Sequence, residues 1–357
     1  MTPDLVFVLP DLCLGGAQRV ATHLIERWVS AGQRVCVITL GTVESDFFPL
    51  PAGAARIALG MQAPTHSLFA AVVENLRRVH KLRAAIRGTG ARTVLSFVAG
   101  TNVLALFATR GLGLRVVVSE RNDPARQPIG RVWALLRRAS YGWADVVTAN
   151  SAGAVATLSA FVPRGRLRFI PNGVALAQSP APREPVFLAV GRLSHQKGFD
   201  VLLEAFALAS PKLAGWRLIV LGEGELRAIL ADQARRLGIE GLVEMPGAVA
   251  DPAAYYARAA VFVLSSRFEG TPNALLEALA SGTPAIVTDT VSIAAGLVAS
   301  GAALLVPAGS AVALSDALCE FAANPPLRNR AAAAAVASVQ DQSLDSVLVL
   351  WNQALEI

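Results

Sequence analysis

Arg267-Phe268-Glu269-Gly270-Thr271-Pro272-Asn273-Ala274-Leu275-Leu276-Glu277 is the stretch that decides the fold. The run before it, Ala260-Val261-Phe262-Val263-Leu264, reads as a buried strand, and Ala274 to Ala280 after it reads as a helix. That order puts Glu269 on the loop at the strand's carboxyl end and Glu277 in the first turns of the helix. In open α/β sheets this edge is where ligands bind. A helix amino terminus also presents unpaired N–H groups and a partial positive charge, which suits an anion such as a phosphate.

The pattern repeats upstream. Val186 to Val190 reads as a strand, Gly191-Arg192-Leu193-Ser194-His195-Gln196-Lys197 as a loop, and a helix follows from about Asp200. Two cations, Arg192 and Lys197, on one such loop suit a diphosphate. A hydrogen bond to a charged group contributes about 1.5–3 kcal/mol net, against about 1 for a neutral one.

Working outward, short apolar runs alternate with helical segments along the whole chain. In the first half, strands are predicted at Leu5–Leu9, Arg34–Leu40, Arg56–Leu59, Thr93–Phe97, Arg115–Ser119, Val146–Ala149 and Leu167–Ile170, with helices between them. Three prolines in the short stretch Ala175–Pro185 mark a linker. Beyond it the alternation restarts, with strands at Val186–Val190, Trp216–Leu221, Leu242–Met245, Val261–Leu264, Ala285–Val287 and Ala303–Val306. Such alternation implies α/β architecture: two doubly wound, Rossmann-like domains, each with a parallel sheet. The expected division is residues 1–174, a linker at 175–185, residues 186–340, and a last segment at 341–357 with an apolar helix at Leu344–Leu355.

At 357 residues, 54% hydrophobic and 16% charged, the chain has material for two cores. Its three cysteines, Cys13, Cys36 and Cys319, form no CxxC pair, so reduced thiols in a cytoplasmic compartment are expected. The start has no basic region and only a short apolar run, which predicts no secretory signal. Thr93–Thr109 and Thr290–Ser315 lack any Asp, Glu, Lys or Arg, but glycines and a proline break up the second, and both read as buried strand-loop-helix pieces. Residues 1–181 hold 20 Lys/Arg against 9 Asp/Glu; residues 182–357 hold 12 against 17. The first half therefore carries +11 and calls for an anionic partner. No nucleic-acid motif or interleaved stacking aromatics accompany the charge, so no nucleic-acid partner is expected. The anionic inner face of a membrane fits better, at about 1 kcal/mol for each nearby Lys or Arg. The helix predicted at Ser67–Arg87 mixes apolar positions with Arg77, Arg78, Lys81, Arg83 and Arg87. It suits either a bilayer surface or packing on its own sheet.

Four segments in this order resemble the retaining glycosyltransferases of the GT-B fold, family-4 type: Gly15-Gly16-Ala17-Gln18-Arg19, Ile170-Pro171-Asn172-Gly173-Val174, Gly191-Arg192-Leu193 with Lys197, and Glu269 through Glu277. The resemblance covers nearly the whole chain. It implies two Rossmann-like domains facing across a cleft, with the terminal helix returning to the first. It implies transfer of a sugar from a nucleotide-diphosphate donor with the anomeric configuration kept. Arg192 and Lys197 would meet charge building on the donor's β-phosphate, helped by the N–H groups that the turn Gly270-Thr271-Pro272-Asn273 offers at its non-proline positions. Glu269 would hold the donor sugar and Glu277 the ribose hydroxyls. Gly15 and Gly16 would line the donor and acceptor side of the site, with Gln18 and Arg19 toward the acceptor. Gly191, Glu223 and Val249 would border the nucleotide. UDP is favoured over GDP by family frequency. No Asp-x-Asp pair or zinc spacing is present, so neither a metal nor another cofactor is expected.

The stretch Ser119-Glu120-Arg121-Asn122 departs from the pattern of many relatives, which have a histidine there. It is similar to a subgroup that adds hexose or N-acetylhexosamine to polyprenyl-diphosphate-linked saccharides. Glu120 either accepts or orients the acceptor hydroxyl's proton, or it and Arg121 form structural pairs. Glu269 has its own competing reading, as a loop carboxylate paired with Arg267. Two rival functions remain: a nucleotide-sugar epimerase of the same fold, and a non-catalytic two-domain solute receptor.

Overall fold

The computed structural model describes residues 2–61, 68–122, 124–125, 129–176, 182–269 and 271–357. The chain divides into two units, Met1–Gly173 with Asp345–Ile357, and Val174–Leu344. It thus passes from one unit to the other at 173–174 and back at 344–345.

The first unit contains, in chain order, β1 (Leu5–Leu9), α1 (Gly16–Ser30), β2 (Val35–Thr39), β3 (Ala55–Ala58), α2 (Leu68–Thr89), β4 (Thr93–Phe97), α3 (Ala99–Thr109), β5 (Arg115–Glu120), α4 (Arg131–Ser140), β6 (Val146–Ala149), α5 (Ala152–Leu158) and β7 (Leu167–Phe169). Its strands form one parallel sheet in the order β3-β2-β1-β4-β5-β6-β7. The strand order reverses between β1 and β4, the switch point typical of open sheets. One face packs Val6, Val8, Ile38 and Val94 against Leu82 and Ile86 of α2 and Leu104 and Ala108 of α3. On the other side Phe7 meets Trp28 of α1 and Phe97, and Phe97 meets Trp351 of the terminal helix Leu344–Leu355.

The second unit contains β8 (Glu184–Val190), α6 (Phe199–Ala209), β9 (Arg217–Leu221), α7 (Arg227–Arg236), β10 (Val243–Gly247), α8 (Ala253–Arg258), β11 (Ala259–Leu264), α9 (Asn273–Ala280), β12 (Ala285–Thr288), α10 (Ala294–Ala299), β13 (Ala303–Val306), α11 (Ala311–Ala323) and α12 (Pro325–Ser338). The parallel order is β10-β9-β8-β11-β12-β13. Alternate residues of each strand serve opposite faces. Phe187, Leu218, Val261 and Ile286 pack with α6, α7 and α11, whereas Leu188, Ile219, Phe262 and Val287 pack with α8, α9, α10 and α12. Both faces are therefore covered, as an all-parallel sheet requires.

Two details differ from the sequence reading. β8 begins at Glu184, inside the stretch assigned to the linker, because Arg183 ties its start down. The Arg183 guanidinium donates to the carbonyls of Tyr256, Ala259 and Ser281 and to Thr283 Oγ1. Residues 177–181 of that linker lie outside the described residues. Val174 belongs with the second unit, where its N–H donates to Gln342 O and its carbonyl accepts from Leu344 N. No helix among the described residues is long and apolar enough to cross a membrane.

Candidate active site

In the second sheet β10, β9, β8 and β11 are consecutive neighbours, so the loops after their carboxyl ends line one edge. The loop after β8 lies backbone to backbone on the loop after β9. Gly191 N donates to Leu221 O, Leu193 N to Glu223 O and Leu226 N to Leu193 O. This approach requires glycine at 222, where φ is +145° and a Cβ would stand 1.9 Å from Gly191 O. His195–Lys197 then makes a single tight turn, and Gly198, at φ +64°, redirects the chain into α6. A Cβ at 198 would meet Ser265 O at 2.2 Å, so glycine also lets this loop close onto the end of β11.

That closure brings two of the residues picked out from sequence into contact. The Lys197 ammonium pairs with Glu269 Oε1, and Ser266 Oγ donates to the same oxygen at 2.9 Å. Glu269 is buried, and the Lys197 stem packs where a side chain at 191 would otherwise stand. The carbonyl of Ser266 accepts from Thr288 Oγ1 at 2.8 Å and Thr290 Oγ1 at 3.1 Å, which fixes the loop below the carboxylate. Taking two charges out of water costs several kcal/mol per ion, and good geometry with extra hydrogen bonds is what offsets it.

Arg192 is exposed beside this pair and has no ion-pair partner among the described residues. Thr271 is half-buried, Pro272 is buried, Asn273 opens α9, and Glu277 lies half-buried on that helix. Gly270 lies outside the described residues. Glu223 is exposed and pairs with Arg227 at 2.9 Å, while Val249, after β10, packs against the core.

The competing reading of Glu269 is corrected here: its partner is Lys197, and Arg267 goes elsewhere. The Arg267 guanidinium grips both oxygens of Asp200, at 2.8 and 2.7 Å. Sixty-seven residues separate the two, and nothing local in the sequence signals the pair.

In the first unit Gly15 caps α1 in extended conformation, and a Cβ there would clash with Gln18 Oε1 at 2.3 Å. Gly16 opens α1, and Arg19 is half-buried in its first turn. Gln18 Nε2 donates to Asp11 Oδ1 at 2.8 Å, so this side chain is turned to its own loop.

At the end of β5, Glu120 is only 2% exposed. Its Oε1 accepts from Tyr141 Oη at 2.6 Å and Arg137 at 3.4 Å, and Asn102 Nδ2 donates to Tyr141 Oη and to Ser119 O. Arg121 is also buried. It lies over the Phe97 ring at 4.6 Å and donates to Asn172 Oδ1, while Asn150 Nδ2 donates to Arg121 O and Asn172 Oδ1. Glu120 is thus held in a buried pairing. Its partners are Tyr141 and Arg137, not Arg121. Asn122 is exposed.

Burial pushes the Glu120 carboxyl above the ordinary glutamate range, against the opposing pull of Tyr141 and Arg137, and brings Arg121 down to about 9. Between its unfolded and folded values the carboxyl therefore binds more proton in the folded chain than in the unfolded one. Stability from this group is full at low pH and falls as pH rises through the folded value. Glu120→Gln can still accept from Tyr141, so it should flatten that decline. Thermal melts of both proteins between about pH 4 and pH 8 check it.

Residues 15–173 match the family model described as glycosyl transferase 4-like domain, and residues 176–337 match that described as glycosyl transferases group 1. The chain belongs to the group 1 glycosyltransferases. Among curated proteins it is 27% identical over 278 residues to the GalNAc-alpha-(1->4)-GalNAc-alpha-(1->3)-diNAcBac-PP-undecaprenol alpha-1,4-N-acetyl-D-galactosaminyltransferase of Campylobacter jejuni, covering 76% of each chain. It is 32% identical over 197 residues to the lipopolysaccharide core biosynthesis glycosyltransferase LpsE of Rhizobium meliloti, covering 53% of this chain and 57% of that one. In fold it is similar to sucrose-phosphate synthase from Thermosynechococcus elongatus, with TM-score 0.80, 20% identity and 98% of each chain covered. Anabaena HepE, solved with UDP and glucose, gives TM-score 0.80 at 18% identity over 99% of each chain. The glycosyltransferase thus has two parallel-sheet α/β domains with GT-B structural neighbours.

Proposed function

We propose that this glycosyltransferase moves a hexose or N-acetylhexosamine from a nucleoside-diphosphate sugar, UDP favoured, to a lipid-diphosphate-linked saccharide in surface polysaccharide or glycan synthesis. The observation that carries the reading is the Lys197–Glu269 pair at the ligand edge of the second sheet, with Arg192 exposed beside it. An arriving diphosphate takes Lys197 and Arg192, and the sugar hydroxyls take the carboxylate that Lys197 leaves. The bond from the anomeric carbon to the β-phosphate oxygen breaks, and a bond to the acceptor oxygen forms on the same face. The departing phosphate oxygen takes up the acceptor's proton as the new bond forms. The cations stabilise the charge on that oxygen, and no metal is assigned to the step. Two similar proteins support the two substrates: the Campylobacter relative acts on a PP-undecaprenol saccharide, and HepE was solved with UDP.

Incubation with UDP- and GDP-sugars and a polyprenyl-diphosphate-linked saccharide tests it, with product mass and anomeric configuration as readouts. Acceptor-dependent product with the donor's configuration is expected. Inversion would overturn the stereochemistry, and interconversion of donors without acceptor would favour an epimerase.

The partner proposed for the first unit is the anionic cytoplasmic face of a membrane. α2 and α4 flank α3, and Val72, Leu76, Val132 and Leu135 on them are 59–68% exposed. Exposed Arg77, Lys81, Arg131 and Arg138 lie on the same two helices, with Glu74 the acid beside them. Of the other basic positions on α2, Arg78 donates to Met61 O, and Arg83 donates to Ala108 O and Arg110 O. Flotation with phosphatidylglycerol vesicles should capture the protein, and phosphatidylcholine vesicles should not. Replacing the four exposed cations with serine should lower partition by up to about 10³-fold, at about 1 kcal/mol each. Equal capture of that variant would remove the surface from consideration.

A further inference from the structure

We infer that Arg267 is a positioning residue, clasping the loop that carries Lys197 to the loop that carries Glu269 so that both reach one ligand. The inference rests on the function proposed above. Arg267 holds three points of the upstream loop at once. Its backbone N–H donates to Gln196 O at 2.8 Å, its Nη1 to His195 O at 2.9 Å, and its two Nη atoms to the two Asp200 oxygens. Asp200 lies in the first turn of α6, directly after the turn that presents Lys197. Two further bonds run between the same loops: Ser265 Oγ donates to Lys197 O at 2.9 Å, and Gln196 Nε2 to Phe268 O at 3.1 Å. The residues on either side of Arg267 complete the arrangement, since Ser266 holds Glu269 and Ser265 holds the Lys197 backbone.

The chemistry requires arginine. A planar fork bridges both carboxylate oxygens and still donates to a carbonyl, whereas an ammonium presents one point of charge. The pairing draws the Asp200 carboxyl below the usual aspartate range and raises Arg267 further, consistent with a persistent bond. Arg267 itself is assigned no contact with substrate. It acts through the placement of Lys197 and Glu269, and misplacement of a reacting group by about 1 Å costs about 10²-fold in rate.

A double-mutant cycle with Lys197→Met separates positioning from mere stabilisation. The readouts are UDP affinity by calorimetry and kcat for sugar transfer, both well below each variant's melting temperature. Arg267→Ala is expected to weaken UDP binding about tenfold and lower kcat about 10²-fold, with both losses clearly diminished in the Lys197→Met background, where only the placement of Glu269 remains to be lost. Arg267→Lys should not restore kcat, and Asp200→Asn should reproduce part of the loss if Arg267→Ala fails to fold. An undiminished effect of Arg267→Ala in the Lys197→Met background overturns the inference, as does full kcat in folded Arg267→Ala. If the wild type binds UDP, transfers no sugar, and the binding cycle still closes as expected, the proposed function falls and the clasp stands. If it binds neither UDP nor GDP, both fall.

Discussion

Lys197→Ala is expected to lower the rate of sugar transfer at saturating donor by about 10²–10³-fold, the usual loss when one preorganised donor to a developing anion is removed. Glu269→Ala should lose a comparable factor by freeing the sugar. The two differ in stability. Lys197→Ala leaves Glu269 with its bond from Ser266. Glu269→Ala leaves an ammonium without its carboxylate, and unpairing a fully buried charge costs about 3–5 kcal/mol. The Lys197 side chain is 17% exposed, so it can swing toward water and the loss should be well below that range. The double variant is the informative one. Removing both charges relieves the unpaired ion and should return the melting temperature toward that of the wild type, yet activity should stay at the level of the worse single variant. Initial transfer rates alongside thermal melts read both quantities. Activity that recovers with stability in the double variant would mean that the pair is an internal strut and the ligand is held elsewhere.

The fold was legible because its signals are local. Runs such as Leu5–Leu9 and Ala259–Leu264 are continuous and apolar because both faces of their sheets are covered, and every strand in the structure has a counterpart among the predicted runs. α10, six residues between Ile293 and Ser300, leaves no such signal, being too short and too uniformly small for an apolar stripe to show. The candidate site was legible to the extent that a strand end could be read. Lys197 and Glu269 are each placed by their own strand-loop-helix, and the pairing of β8 with β11 brings them together. The competing pairing of Arg267 with Glu269 rests on proximity in sequence and fails because the loop turns the arginine side chain back toward α6. Glu120 looked available because Ser119-Glu120-Arg121-Asn122 is polar. Its burial depends on Tyr141 and Arg137, which reach it from beyond a helix and a loop and leave no mark in the local pattern.

The other large effect concerns stability, and it follows from the terminal helix. Trp351 is fully buried against Phe97, with ring centroids 5.4 Å apart, and Phe97 in turn lies beneath the Arg121 guanidinium. Removing such a side chain leaves a cavity, and Trp351→Ala should cost about 3–5 kcal/mol. That is a large share of the roughly 5–15 kcal/mol that holds a folded domain. Val349, 54% exposed on the same helix, is the control, and Val349→Ala should change little. Two tryptophans in this region should also respond differently to phenylalanine. Trp351 Nε1 has no hydrogen-bond partner among the described residues, so Trp351→Phe loses packing alone. Trp28 Nε1 donates to Asn352 Oδ1 at 2.8 Å, so Trp28→Phe also gives up a hydrogen bond of about 1 kcal/mol. Because the chain has two units, a single melting curve would mix their responses, and amide hydrogen exchange is the better measurement. Trp351→Ala should lose protection in β1, β4 and the terminal helix while β8 and β11 keep theirs. Equal loss across both sheets would show that the helix supports more than the first unit. No loss anywhere would mean that the unit's core is complete without it.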